Sequence, residues 1–402
     1  MSNNELMAGV GLPVSGVRLA TAAAGIRYKN RKDVCLIELV QGGTSAGVFT
    51  QNKFCAAPVH VAKENLAKDP VRYLIINSGN ANAGTGGEGM RAARETCRTV
   101  AALAGCPMSQ VLPFSTGVIG QDLPILPFQQ AMPSLMSELS EDGWEDAART
   151  IMTTDTRPKY CSKQIELDGE TITITGIAKG SGMIHPNMAT MLGYVATDAK
   201  IDQKRLQSML VKGVDPSFNS ITVDGDTSTN DACVLLASGA SGVEITDTHH
   251  EVFQSALNEV LLYLAREIVR DGEGATKLVE IAVEGAKDDA EAKAVAFTVA
   301  HSPLCKTAWF ASDPNWGRVL AAVGRAPIDH LDIDALKIYL DDVLLVSDGG
   351  RAASYTEEQG QSVLNKDAFE IRVIMNEGKG TARVLTCDFS YDYVKINAEY
   401  RS

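Results

Sequence analysis

A chain of 402 residues, 45% hydrophobic and 22% charged, has ample material for a core, which excludes a disordered or fibrous protein. Its formal charge of −13, with no block of lysine and arginine, excludes a polyanion such as nucleic acid as partner. The length suggests two lobes or one large layered α/β body.

Taken in chain order, the apolar runs predict strands over 34–40, 46–50 and 72–77, a glycine-rich loop, and a helix over about 88–104. A short strand over 111–114 runs into the turn Ser115 to Gly120, and a helical region follows to about 152. Residues 164–177 alternate on both sides of Asp168 and Gly169 and read as a hairpin. Further on come a strand after Thr190, a helix near 203–212, a strand over 232–237 and a long helix over 250–269. The apolar positions of that helix, Val252, Phe253, Ala256, Leu257, Val260, Leu261, Leu264, Ala265 and Ile268, follow the 3.6-residue period and should face a sheet. A strand over 279–283 and helix over 288–304 precede a change of pattern near residue 327, from which a smaller α/β lobe is expected to run to 402. Strands and helices without a regular βαβ cadence predict an α+β class, a layered α/β sandwich.

The eight cysteines are scattered with no C-x-x-C pair, and the six histidines offer no matched zinc spacing, so no metal is expected. Cys35 and Cys233 sit in apolar runs as reduced, buried thiols would. No basic-then-apolar leader opens the sequence and no apolar run is long enough to span a membrane, so a cytoplasmic protein is expected.

Three motifs match the wrong chemistry. Gly43, Ser45 and Gly47 fit G-x-S-x-G, but the residues after them read as a strand where a helix is needed, and Ser45 is expected in a hairpin turn. Residues 84–89 fit G-x-G-x-x-G, but the strand before them is expected to end at Asn77 and no acid stands about twenty positions on, against a dinucleotide site. Residues 224–231 are like a calcium loop but carry Thr229 in place of the glycine and Leu235 in place of the closing glutamate, so a polar turn or active-site loop fits better. His249 and His250 read as a solvated helix start, and His185 as a loop hydrogen-bonder.

The segment KGSGMIHPNMATMLG, 179–193, sets Thr190 between a glycine-rich loop and a β-inclined apolar run. Small Ala189 leaves the carbonyl before it uncrowded, so the Thr190 hydroxyl can attack its own upstream peptide bond. Cleavage between Ala189 and Thr190 then exposes an α-amine of unperturbed pKa about 7.7–8, able to serve as base for the adjacent hydroxyl. Taken alone, a threonine at a strand start more often only satisfies backbone groups or packs a methyl.

Its company changes that reading. GVFTQN at 47–52, INSGNAN at 76–82, STGVIG at 115–120, MTTDT at 152–156, the 179–193 segment, DGEGATK at 271–277, DPNWGR at 313–318 and YVKINAEY at 393–400 resemble, in order and nearly end to end, the ornithine acetyltransferase family, the glutamate N-acetyltransferases of arginine biosynthesis. The resemblance implies that family's fold and self-cleavage into 1–189 and 190–402, two of each piece staying associated. It implies ping-pong transfer of acetyl from N-acetylornithine to glutamate through an acetyl-Thr190 ester. Thr116 and Gly117 become the oxyanion hole, and Thr153, Lys179, Thr190, Glu273, Asn397 and Ser402 the substrate contacts, although many family members end in threonine where this chain ends in serine. No cofactor is implied, and acetyl-CoA stays open as a co-substrate. Two other readings stay open: an amidase or aminopeptidase with the same N-terminal threonine and water as acceptor, and a non-enzymatic binding protein of the same fold.

Overall fold

The computed structural model describes residues 5–185 and 191–400. Two compact units divide the chain: Met1–Asn219 with Asp226–Ile268, and Ser220–Gly225 with Val269–Ser402.

The first unit carries β1 (Met7–Ala8), β2 (Val17–Ala22), β3 (Val34–Leu39), β4 (Thr44–Phe49), α1 (Ala57–Lys68), β5 (Tyr73–Asn80), α2 (Gly86–Ala104) and β6 (Val111–Val118). After these come α3 (Ile125–Ser137), α4 (Trp144–Thr150), β7 (Lys159–Leu167), β8 (Glu170–Lys179), β9 (Leu192–Thr197), α5 (Gln203–Val214), β10 (Ala232–Ala237) and α6 (His250–Arg270). Two sheets form, one ordered β1-β7-β8-β9-β10-β4 and the other β2-β3-β5-β6.

Strand β3 shows why its sequence is apolar throughout. Cys35, Ile37 and Leu39 face one way, into a core shared with Ile177, Leu192, Tyr194 and Leu236 of the other sheet. Val34 and Leu36 face the other way, onto Cys97 and Val100 of α2 and Phe128 of α3. Period-two alternation with both faces covered leaves no polar position except Glu38, which pairs with Arg18 and Arg72 and accepts from the Tyr73 hydroxyl at 2.8 Å. On the outer face of the six-stranded sheet lies α6, with Val260 and Leu264 against Gly176. This gives four layers, helices outside and two sheets within.

The period-3.6 reading of α6 holds from Phe253 to Ile268, all buried at its apolar positions, whereas Val252 is 50% exposed. The 164–177 hairpin is longer than expected, and its turn residues Asp168 and Gly169 take φ of 55° and 85°, as a two-residue primed turn requires. Ser45 is a strand residue, buried and opposite Leu236, and not the turn residue the sequence suggested. With β4 as the edge of a sheet and no helix following Ser45 directly, the elbow of a serine hydrolase is not formed.

The second unit holds β11 (Leu278–Ala286), α7 (Asp289–Ala300), α8 (Pro303–Phe310), α9 (Trp316–Gly324), β12 (Lys337–Leu340), β13 (Val343–Ser347), β14 (Gly350–Arg351), α10 (Glu357–Leu364), β15 (Ala368–Ile374), β16 (Gly380–Cys387) and α11 (Tyr391–Ala398). Its sheet runs β14-β13-β12-β15-β11-β16. Strand β11 lies inside that sheet, parallel to β15 and antiparallel to β16. Besides Ser220–Gly225, the unit takes the continuous stretch from Val269, which includes the expected smaller lobe from about 327. Among the described residues no helix is long and apolar enough to cross a membrane.

Candidate active site

Strands β5 and β6 run parallel, and their register slips where Asn80 opposes both Thr116 and Val118. The slip throws the two backbones together at Gly117, where a Cβ would stand 2.3 Å from the Gly79 carbonyl carbon, and where φ is 132°. Only glycine fits there, because an L side chain meets both the clash and the forbidden φ. Gly117→Ala is therefore expected to destabilise the protein by about 3 kcal/mol, combining overpacking with backbone strain. A melting temperature equal to the native one would refute that reading of the slip.

Thr116 is held from two sides. Asn230 Nδ2 donates to the carbonyls of Ala81 (2.6 Å) and Ser115 (2.9 Å), fixing the strand ends. Lys179 Nζ, at the end of β8, donates to Thr116 Oγ1 at 3.2 Å. A hydroxyl that accepts from an ammonium keeps its own proton for another acceptor, and the neighbouring charge makes it a stronger donor.

Lys179 owes its position to Asp155, which the sequence reading did not single out. The Asp155 carboxylate is buried and receives Lys159 Nζ (2.7 Å), Gly180 N (2.7 Å) and Thr153 N (3.0 Å). Burial by itself would raise its pKa, but the charges of Lys159 and Lys179, with the Lys159 and Thr153 hydrogen bonds, hold it well below the usual carboxylate range. Thr153 is thus tied through its backbone to the turn that follows Lys179, and Thr154 Oγ1 lies 2.7 Å from Ser181 Oγ.

Thr116, Lys179, Gly180, Met191, Leu192, Ser228, Asn230 and Asp231 line a small cavity of about 30 Å³. The polar run rejected as a calcium loop supplies three of these residues. Asp231 ends that run, and like Asp155 it was not singled out from the sequence. It is 3% exposed, and its Oδ2 meets no hydrogen-bond partner among the described residues. Burial pushes its carboxyl well above the usual range, against smaller opposing effects from Ser228 and Lys179. Its signals in the sequence are the polar run 224–231 that it ends and its place directly before the wholly apolar strand β10.

In the second unit, Asn397 Nδ2 on α11 donates to Glu273 Oε2 at 2.8 Å. Glu273 is buried. The next residue, Gly274, has φ of 68° and would set a Cβ 2.4 Å from Tyr393 N, so the turn and α11 are closely fitted. Thr190 and Ser402 lie outside the described residues.

The ArgJ family profile matches residues 18–402. The arginine biosynthesis bifunctional protein ArgJ of Methylococcus capsulatus is 57% identical over 393 residues, covering 97% of this chain and 96% of that protein. The protein of that name from Pseudomonas fluorescens is 52% identical over 394 residues, covering 97% of each. A solved structure of the arginine biosynthesis bifunctional protein ArgJ from Bacillus halodurans is 40% identical, with a TM-score of 0.50, over 52% of this chain and 100% of its own. A profile match over nearly the whole length and identities above one half leave one assignment: the chain belongs to the ArgJ family, the ornithine acetyltransferase family its motifs resemble, and is an enzyme of arginine biosynthesis.

Proposed function

We propose that the protein cuts itself between Ala189 and Thr190, and that Thr190 then carries an acetyl group from N-acetylornithine to glutamate. The observation that carries this reading is the cavity where Lys179 and Thr116 meet Met191, the residue directly after Thr190. The Bacillus halodurans chain, whose whole length answers to 52% of this one, has about the size of the piece 190–402.

In the first half-reaction Thr190 Oγ attacks the acetyl carbonyl carbon, and its proton passes to the Thr190 α-amine. The tetrahedral oxyanion is met by the Thr116 hydroxyl and Gly117 N, donors of a kind whose loss costs about 3–4 kcal/mol. The C–N bond breaks, ornithine leaves with the proton, and the acetyl ester remains. Glutamate's amine attacks that ester in the second half, giving N-acetylglutamate and restoring the hydroxyl. Thr153 and Lys179 are assigned to the substrate, the Lys179 ammonium suiting the carboxylate that donor and acceptor share. Glu273, Asn397 and Ser402 are assigned as substrate contacts on the family resemblance alone.

No cofactor enters this scheme. The word bifunctional in the names of the relatives fits a second activity with acetyl-CoA as donor. Two copies of each piece are proposed for the assembled enzyme. The test is N-terminal sequencing of purified active protein, with acetyl-donor profiling on the same sample. The reading expects a second terminus beginning Thr-Met-Leu and ornithine release that quickens with glutamate, giving equimolar N-acetylglutamate. Recovery of the Met1 terminus alone from active protein would end the cleavage reading, and indifference to glutamate would make the enzyme an amidase.

A further inference from the structure

We propose that Asp388 is a positioning residue for Glu273, an inference that rests on the reading that Glu273 contacts substrate. Residues 271–277, DGEGATK, join α6 to β11 and belong to no helix or strand, so their shape is set largely by what packs against them. Sheet register brings the support. Strand β16 runs antiparallel to β11 with Cys387 opposite Leu278, which sets Asp388, the next residue, beside Lys277 where the turn enters the sheet. The Asp388 carboxylate is 1% exposed and accepts from Thr276 N and Lys277 N at 2.8 Å each and from Thr276 Oγ1 at 2.6 Å. A carboxylate only accepts, and the three donors that converge on this one all come from the turn.

The middle of the turn is held from α11. Ser390 Oγ donates to Gly274 O at 2.6 Å and, as the N-cap of α11, accepts from Tyr393 N at 3.4 Å. One hydroxyl thus ties the turn to the helix whose Asn397 donates to Glu273 Oε2. Glu273 Oε1 has no hydrogen-bond partner among the described residues. A buried carboxylate with one oxygen held and the other open fits a donor brought by the substrate.

Asp388 is itself fixed by Lys306 of α8, a buried lysine to which the transfer scheme gives no part. Lys306 Nζ donates to Thr386 Oγ1 at 2.7 Å and to Cys387 O, and stands 4.6 Å from the centre of the Phe389 ring, which stacks on Tyr393. The chain is therefore anchored on both sides of Asp388. Support passes from Lys306 through Asp388 to Thr276, three residues beyond Glu273, while Ser390 holds Gly274, the residue next to it. With Thr276 and Lys277 released, Glu273 would keep its bond to Asn397 and lose the fixed aim of its open oxygen. A displacement of about 1 Å in a binding group is enough to cost on the order of 100-fold.

The test is a double-mutant cycle on purified enzyme: the native protein, Asp388→Asn, Glu273→Gln and the pair, each followed for KM and kcat with N-acetylornithine and for melting temperature. Asp388→Asn is expected to raise KM by about 10- to 100-fold with kcat within about threefold of native. In the Glu273→Gln background the same change should raise KM by less than about twofold, because the group it aims is already gone. A purely structural Asp388 predicts the same factor in both backgrounds. Should Asp388→Asn fail to fold, Thr276→Val takes its place in the cycle, removing only the hydroxyl donor, with an expected rise of about 3- to 10-fold that vanishes without Glu273. Equal factors in the two backgrounds overturn the inference, as does a native KM in Asp388→Asn. A native KM in Glu273→Gln removes the substrate assignment of Glu273 and this inference with it, whereas a raised KM there beside an unaffected Asp388→Asn removes this inference alone.

Discussion

Thr190→Ala is expected to leave a single 42.9 kDa species and to lower acetyl transfer by about 10⁵- to 10⁶-fold, the scale seen when a catalytic nucleophile is removed. The native chain should instead give pieces of 189 and 213 residues, roughly 20 and 23 kDa in proportion to length. On the proposed mechanism both losses have one origin, because the hydroxyl that would open the peptide bond is also the one that would accept the acetyl group. Thr190→Ser separates the hydroxyl from the methyl: it should still split and still transfer, more slowly. The residual activity of the alanine protein should be that of oriented donors alone, since Thr116, Gly117 and Lys179 are untouched. An alanine protein that still splits at the same bond would remove the nucleophile assignment, whatever its transfer rate.

The elements that were legible in the sequence are those whose burial is one-dimensional. Strand β10 is apolar at every position, β3 nearly so, and α6 repeats its apolar face for five turns, so periodicity alone reveals them. Helix α1 was not legible because it opens at Ala57 and Pro58, and proline in a first turn looks like a breaker when the rest of the helix is not in view. Strand β2 is hidden by Arg18, whose charge makes sense only beside Glu38 across the sheet. Helix α11 has no buried face at all, with Tyr391 84% and Val394 66% exposed, and so leaves no period to read. The site divides in the same way. Thr116, Gly117 and Lys179 stand in motifs, and so does Asp155 within MTTDT, while Asp231 ends the polar run 224–231; what no local window shows is the burial of the two acids, which comes from strands distant in sequence.

The deeper dependence of the site is on Asp155. Asp155→Ala is expected to cost about 3–5 kcal/mol, because it leaves the Lys159 ammonium buried without its carboxylate and removes the acceptor of Gly180 N and Thr153 N. In thermal unfolding that is a fall of about 5–15 °C. The loss should carry into substrate binding, since Lys179 and Thr153 are aligned by the same two oxygens. The pH dependence separates charge from shape. Folding lowers the Asp155 pKa, so its ionised form stabilises the fold fully above the unfolded value of about 3.9, and that contribution drains away as pH falls through the still lower folded value. The gap in melting temperature between the native protein and Asp155→Asn should therefore be widest at neutral pH and narrow from about pH 4 downward. A gap of equal size at pH 7 and pH 3 would mean that the carboxylate acts through its hydrogen bonds and not its charge, and the buried Lys159 would then need another source of stabilisation.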